Sequence, residues 1–571
     1  MSRRPQPDPT ELVAPASLGD MLADKAARQG ERIALQVLRQ GAWVRLSYRE
    51  LVARAQGWAR ELNLPAGARV LLAAESSPEW GVAYFAAMFG GATVVPLDPQ
   101  LGAADMQAIA GRTGVVVWLV SAAVAERVRA EGDAEQPLYV IDDWLDTPLP
   151  AESGSELPPP GEPASIPFTS GTTLAPKGVP LTHANFLANV RGVLWAIHVR
   201  PEDEFLCALP LHHVLAFTAC FLTPLQAGAT VTFAEKVTPK AMLEAIQGSR
   251  TTVLIAVPRL FALFVRGIKS NLETAPFSRR ALFAVLSVLA RGLGWLGVAI
   301  PPLAPALRAL RAALFRRVHQ RFGGRIRYLV SGGAALPPEY YDALDRLGFR
   351  VAEGYGLTET SPVLTLTPPE RPRRGTVGPP LAGVAVRLAE PDADGIGEVL
   401  AQGPSVFSGY LDDPEATQQA FVDGWFRTGD LGWLDRRGYL RLAGRADDVI
   451  VTGGGKNVYP VEVEWLYHGL PHVKEFCALG LSDPGTAGEA VHGVVVLEAM
   501  EGGDDARRRQ EVEAAITSRA RQLAPHQRLR GVHFWEGDLP RTPTLKIKRR
   551  EIRAALLAAG EPAAERTPSA R

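Results

Sequence analysis

The sequence predicts an α/β protein. A large multi-subdomain N-terminal region carries layered α/β sheets and a small β-rich subdomain, and a small α+β domain closes the chain. Three observations predict this. From Leu18 to about Leu145, helix-period patterns alternate with short apolar runs, the texture of βα units around a largely parallel sheet. After about Val377 the texture changes to short strands separated by Gly/Asp turns. The length, 571 residues, exceeds what one ordinary core fills.

Taken in order, residues 1–15 are polar and proline-rich and read as a loose arm. The apolar runs 69–74, 92–97 and 115–121 read as strands among helices, and 152–165, rich in Pro, Gly and Glu, reads as a surface connector. Strand-like runs resume at 251–257 and 326–331. Gly397–Gln402 and 438–442 belong to the β-rich subdomain, and a compact α+β unit follows from about Gly444 to Gly560. The expected division is therefore 1–443 and 444–571. The last residues, EPAAERTPSAR, read as a disordered tail.

Lys and Arg total 61 against 61 Asp and Glu, so bulk charge points to neither nucleic acid nor membrane, and no nucleic-acid partner is expected. Cys207, Cys220 and Cys477 are scattered with no CxxC pair, which fits a reducing cytoplasm and indicates neither zinc site nor disulfide frame. MSRRPQPDPTEL has no apolar stretch after its basic residues, so a secretory signal is not expected. No run reaches the roughly 20 uninterrupted apolar residues of a membrane span.

One segment is unusual. Between Glu273 and Glu339 there is no acidic residue, yet Arg279, Arg280, Arg291, Arg308, Arg311, Arg316, Arg317, Arg321, Arg325 and Arg327 lie among apolar runs such as ALFAVLSVLA. A membrane-surface helix needs that pattern, with an apolar face toward lipid and Arg toward anionic headgroups. A core helical pair with a solvated basic rim is the alternative. Gly292, Gly294 and Gly297 form a formal GxGxxG within this segment, but no clear strand precedes it, so a dinucleotide site is rejected.

The strongest chemical signal is IPFTSGTTLAPKG, residues 166–178. An apolar run enters a loop of Thr169, Ser170, Gly171, Thr172 and Thr173, and Lys177 follows. Glycine lets backbone N–H groups approach an anion, hydroxyls add donors, and lysine adds a point charge. This is a phosphate cradle, and it lacks the Gly-Lys-Ser/Thr of a Walker A loop.

That loop resembles the phosphate loop of the adenylate-forming superfamily, which includes acyl-CoA synthetases, carrier-loading adenylation domains and beetle luciferases. Further resemblances follow in the family's order: Ser331-Gly332-Gly333-Ala334 is similar to its adenine-side loop, EGYGLTET (353–360) to its nucleotide and metal motif, and Thr428-Gly429-Asp430 to its ribose motif. GRADDVIVTGGGKN (444–457) is similar to the hinge and thiol-side loop, and LPRTPTLKIKR (539–549) to the segment bearing a mobile lysine. Leu174 and Leu545 stand where the family usually has Gly.

The resemblance implies roles. Glu359 would hold Mg²⁺ on the phosphates of ATP, and Thr358 would hydrogen-bond the α-phosphate. Lys546 would bridge carboxylate and α-phosphate oxygens. Asp430 would accept the ribose hydroxyls beside Arg445, and Tyr355 would stack on adenine, near Glu353, Gly354 and the 332–334 loop. His213, after Leu209-Pro210-Leu211-His212, would lie near the acyl carboxylate. Asp447 would be the pivot that exchanges Lys546 for Gly454, Gly455 and Lys456, against which the pantetheine arm of coenzyme A would lie.

The expected reaction is ATP-dependent activation of a medium- to long-chain fatty acid to acyl-AMP and transfer to coenzyme A, giving acyl-CoA, AMP and pyrophosphate. The GGGKN and LKIKR forms and the long basic segment resemble long-chain fatty acyl-CoA synthetases. Each buried CH₂ contributes about 0.8 kcal/mol, so about 14 methylenes gain roughly 11 kcal/mol on leaving water. The enzyme alternatives are delivery to acyl carrier protein and an aryl or branched acid substrate. The non-enzyme alternative is an inactive membrane-bound lipid-binding scaffold. The expected location is the cytoplasm, with peripheral contact to an anionic membrane, on its inner face, through 279–327.

Overall fold

The computed structural model describes residues 15–131, 136–148, 159, 161–169, 176–236, 238–453, 456–482, 488–499, 504–541 and 547–558. Residues 1–14 of the expected arm, 152–158 and 160 of the connector, and the C-terminal tail lie outside the described residues.

The helix Pro78–Phe89 shows how the centre of the molecule is built. Its sequence PEWGVAYFAAMF is apolar all round, so it is buried all round. Ser77 caps it by accepting from the Trp80 N–H at 3.2 Å. Around it an aromatic cluster forms: Trp80 stacks on Tyr84 with ring centroids 5.4 Å apart, and Phe217 meets Tyr84 at 4.5 Å and Phe186 at 5.2 Å. The buried Glu79 is neutralised by a two-pronged contact from Arg39, at 2.6 and 2.7 Å.

Two sheets flank this core. The smaller is fully parallel, in the order Thr93–Pro96, Arg69–Ala73, Val117–Val120, Leu138–Val140. The larger runs Val363–Leu366, Val351–Gly356, Tyr328–Ser331, Val253–Ala256, Glu204–Cys207, Thr230–Phe233, Ile33–Arg39, Ala42–Ser47. Its six inner strands are parallel and each edge strand is antiparallel.

The parallel expectation for the first part of the chain needs one correction. Ile33–Arg39 and Ala42–Ser47 form an antiparallel hairpin that joins the larger sheet, Leu35 opposite Val231. Its turn is Gln40-Gly41, with φ of 49° and 80°. Two positive φ values suit the twist of a two-residue hairpin. Gln rarely signals that turn, which is why the sequence did not reveal it.

The β-rich subdomain is a five-stranded antiparallel sheet that includes Gly397–Gln402, Trp425–Leu434 and Leu440–Arg445. The small C-terminal domain packs helices Pro460–Leu466, Asp505–Ala520 and Arg549–Ala558 on a sheet of Val473–Ser482, Glu489–Leu497 and Gly531–Phe534. It meets the larger domain where His468 contacts Glu339 and lies 5.7 Å, ring to ring, from Tyr340.

The acid-free segment folds chiefly as three helices, Phe277–Ala299, Ala304–Leu314 and the short Arg316–Arg321, before the strand Tyr328–Ser331. Gly292, Gly294 and Gly297 all lie within the first helix, so no phosphate-binding turn forms there. The arginines divide in two, apart from the half-buried Arg308. Arg311 is buried and bonds Asp345 at 2.8 Å, and Arg327 pairs with the buried Asp203, so these two hold the fold together rather than facing outward. Arg279, Arg280, Arg291, Arg316, Arg317, Arg321 and Arg325 are exposed.

Arg549 fastens the last helix. It donates to Glu464 at 2.6 Å, to Asp448 at 3.2 Å and to the Ala478 carbonyl at 3.2 Å, and all three side chains of the cluster are largely buried. Removing one partner of a buried ion network strands the others. Arg549→Met is expected to destabilise the C-terminal domain by about 3 kcal/mol. Calorimetry should show an earlier transition for that domain and an unchanged one for the larger domain.

Candidate active site

Parallel strands end on one edge, and loops that follow them gather there. The register makes this concrete: Ile255 lies opposite Cys207, Ala256 opposite Ser331, and Ser331 opposite Glu353. The chain leaves these strand ends as Leu209–His213, Val257-Pro258, Gly332-Gly333-Ala334 and Thr358–Thr360. The loops separated most widely in sequence therefore meet at one place.

The Glu353–Thr360 motif is a strand that breaks sharply. A Cβ on Gly356 would stand 1.7 Å from the Pro362 carbonyl oxygen, so only glycine fits. The turn Thr358–Thr360 that follows is held from behind. Asn189 donates to the carbonyls of Thr360, at 3.1 Å, and Val363, at 2.8 Å, and Thr218 donates to that of Ser361 at 2.9 Å. This fixes Glu359, 8 % exposed, at the site edge. Tyr410 donates to Glu359 Oε1 at 2.8 Å, and the Lys177 ammonium lies over the Tyr410 ring at 4.8 Å. The exit of the phosphate loop and the acidic residue are thereby joined through one tyrosine.

A second node is Asp430. Tyr355 donates to its Oδ2 at 2.7 Å, and Arg445 donates to its Oδ1 at 3.1 Å. Asp430 and Arg445 are direct cross-strand partners, so the pairing of Trp425–Leu434 with Leu440–Arg445 sets their approach. Burial, and then the Asp430 charge, pushes the Tyr355 hydroxyl well above its usual range, keeping it a donor.

His213 follows the strand end as expected, its ring 4.2 Å from that of His212. Burial lowers the pKa of His212 and of His213, with Asp98 partly offsetting it for His213. Both rings are neutral at pH 7. Glu353 lies beneath the 332–334 loop and accepts from the Leu336 N–H at 3.4 Å. Burial raises its pKa to about 7.

Asp447 lies in a short turn just past Arg445 and pairs with Arg550 at 2.9 Å. Lys456 is exposed and stands in a hairpin between Ile450–Val451 and Asn457–Val458. Thr169 pairs with Lys177 across a two-residue ladder. Ser170, Gly171, Thr172 and Thr173, with Gly454, Gly455 and Lys546, lie outside the described residues. On either side of the undescribed 542–546, Arg541 forms a bridge with Ile547.

Two residues of this arrangement escaped the sequence reading. Asn189 sits on the apolar stripe Phe186, Val190, Val193 of helix His183–Ala196, and a polar residue in such a stripe is a legible signal of a buried bonding role. Tyr410 lies in a turn-rich stretch with no periodicity, where no signal marks it.

The donor set also suits a cation. No group of three or more His, Cys, Asp or Glu forms a metal cage among the described residues. One buried carboxylate, Glu359, fits Mg²⁺, which keeps its waters and binds largely through substrate phosphates.

A layered α/β fold with a small C-terminal domain, with the buried Glu359 and the Tyr355–Asp430–Arg445 node near one sheet edge, is the architecture of an adenylate-forming enzyme. Residues 22–411 match the AMP-binding enzyme family and residues 462–546 its C-terminal domain. The chain belongs to the AMP-binding enzyme family, and it is an AMP-forming acid–thiol ligase that uses ATP, Mg²⁺ and coenzyme A. It is 29% identical over 95% of its length to the long-chain-fatty-acid–CoA ligase FadD15 of Mycobacterium tuberculosis, covering 97% of that protein. It is 32% identical over 76% of its length to a sulfoacetate–CoA ligase of Cupriavidus necator, covering 75% of that protein. ATP-bound MatB from Rhodopseudomonas palustris superposes with a TM-score of 0.74 at 26% identity, over 95% of this chain and all of that one.

The Glu353 carboxyl makes stability depend on pH in a stated direction. The fold holds its proton more tightly than the unfolded chain, at about 7 against 4.5. Stability is therefore full below about 4.5 and declines as pH rises toward 7, by roughly 3 kcal/mol in all. Glu353→Gln removes this loss. Denaturant midpoints should differ between variant and parent at pH 8 and converge at pH 5; a gap of equal size at both would refute the assignment.

Proposed function

We propose that the protein activates a medium- to long-chain fatty acid to acyl-AMP and passes the acyl group to coenzyme A, in the cytoplasm and in peripheral contact with an anionic membrane surface through 279–327. The observation that carries the adenylating site is the convergence of Lys177, Glu359, Tyr355, Asp430 and Arg445 at one edge of the larger sheet. The long-chain substrate is supported by the likeness to FadD15 and by the apolar, acid-free helices that succeed helix Pro258–Glu273, itself starting at a site-lining strand end.

A carboxylate is already ionised at pH 7 and needs no general base. Its difficulty is repulsion: two unit charges about 4 Å apart cost roughly 4 kcal/mol at an effective dielectric of 20. The residues answer that difficulty. Thr169–Thr173 and Lys177 cradle the phosphates, and Thr358 bonds the α-phosphate. Glu359 would hold Mg²⁺, which supplies charge neutralisation there. Tyr355 stacks on adenine beside Glu353, Gly354 and Gly332, Gly333, Ala334, and Asp430 with Arg445 takes the ribose. His213, held neutral, faces the acyl carboxylate without adding charge. Lys546 bridges carboxylate and α-phosphate as the bond forms and pyrophosphate departs. The pivot at Asp447 between 1–443 and 444–571 then withdraws Lys546, and Gly454, Gly455 and Lys456 receive the thiol arm.

The likeness to a sulfoacetate–CoA ligase favours a second reading, in which the acid is short. Pyrophosphate release across saturated acids from acetate to stearate, with and without coenzyme A, separates the two. A coenzyme-A-dependent maximum at long chains is expected. A maximum at short or aryl acids would sink the chain-length assignment, and release without an acyl-CoA product would move the acceptor to a carrier protein. Lys546→Ala should lower adenylation by about 10²–10³ while thiolation of supplied acyl-adenylate persists; equal loss of both would refute the division of roles. Asp447→Pro should spare the first step and cripple the second.

A further inference from the structure

The helix Phe277–Ala299 is apolar on both faces, and only one is covered. Phe283, Leu286 and Ala290 turn inward onto the core of the larger domain, with Phe283 and Phe315 ring to ring at 5.3 Å. The opposite face carries Phe277, Val285, Val288 and Trp295, which are 83%, 57%, 66% and 75% exposed. A surface helix of a globular protein is polar on its outer face, and a contiguous apolar patch of this kind marks an interaction surface. By length and composition the stretch Phe277–Gly297, mean hydropathy 1.3, is apolar enough to cross a membrane. Its inner face, however, is docked on the domain, and the neighbouring helix is locked by Arg311 to Asp345. Such a helix lies along a bilayer interface rather than through it.

We propose that the outer face of this helix is where the protein docks on a bilayer rich in anionic phospholipid. The proposal deepens the peripheral-membrane part of the reading above and rests on it, but its observations concern only this face. Charge selects the occupant. The exposed charges of the segment are all arginine, with Arg279, Arg280 and Arg291 on the helix itself, and no acidic residue lies between Glu273 and Glu339. An apolar surface edged only by cations matches acyl chains beneath anionic headgroups. A second copy of this chain would bring arginine against arginine across a two-fold axis, which disfavours self-association here. Trp295 sits toward the end of the helix, where an indole suits the headgroup boundary. The consequence for function is positional. Helix Pro258–Glu273 starts at the end of a site-lining strand and leads directly into the docked helix, so the membrane face and the acyl side of the site are joined by one short stretch of chain.

The test uses the full chain without acid or nucleotide, so failure of the fatty-acid assignment leaves its outcome intact. Flotation with vesicles of equal parts phosphatidylcholine and phosphatidylglycerol should carry the protein, and vesicles of phosphatidylcholine alone should bind at least about tenfold more weakly. Val288→Glu with Trp295→Glu should weaken binding about tenfold or more, and so should Arg279, Arg280 and Arg291 changed together to Glu. Neither set should change the thermal unfolding midpoint, since all five side chains are exposed. No flotation with anionic vesicles, or flotation untouched by both sets, overturns the proposal. So does a dimer in sedimentation that Trp295→Glu splits, because a second copy would then cover this face.

Discussion

Asp430 accepts one hydrogen bond from the larger sheet, through Tyr355, and another from Arg445, the residue that leads into the short turn Ala446–Asp448. The five-stranded sheet, the larger sheet and the entry to the C-terminal domain are thereby referred to a single carboxylate. Bonds to a charged group contribute about 1.5–3 kcal/mol, and the Tyr355 hydroxyl is buried, so this node is stiff. The Arg445 side chain is nearly half exposed, and its share is smaller. A carboxylate offers about four acceptor sites, of which these two donors use two. The remaining capacity is what a pair of ribose hydroxyls requires, so the structural and proposed binding roles do not compete.

Much of the site was legible because its chemistry sits in short contiguous motifs. Asp430 and Arg445 could be named from short runs that resemble the family's, and the structure sets them opposite each other on adjacent strands. The alternation of helix and strand gave the parallel sheets for the same reason, since period and run length are local properties. What was not legible depended on tertiary placement. Tyr410 becomes informative only when its hydroxyl is found on Glu359 and its ring under Lys177. The Gln40-Gly41 hairpin uses a residue with little preference for positive φ. In the basic segment, sequence could count arginines but not tell Arg311 and Arg327, spent on Asp345 and Asp203, from those facing solvent. It also could not tell which of two apolar helix faces would remain uncovered.

The placement of positive charge explains why such a site would depend on a moving lysine. The repulsion between a carboxylate and a phosphate must be relieved where they meet, yet two cations near the site are already engaged: Lys177 over the Tyr410 ring, Arg445 on Asp430. Under the proposed roles the remaining charge arrives with the C-terminal domain, on Lys546. Such a cation is useful only if it can also leave, because the thiol must approach from the space it occupied. The contacts joining the two domains fit that requirement. His468 with Glu339 is a partly exposed pair beside the Tyr340 ring. Pairs of this kind contribute about 0–1 kcal/mol each. The network around Arg549 is buried and stays within the C-terminal domain. Under the proposed roles, a firm network inside the C-terminal domain and a weak pair between the domains would let that domain bring its lysine in and withdraw it at little cost.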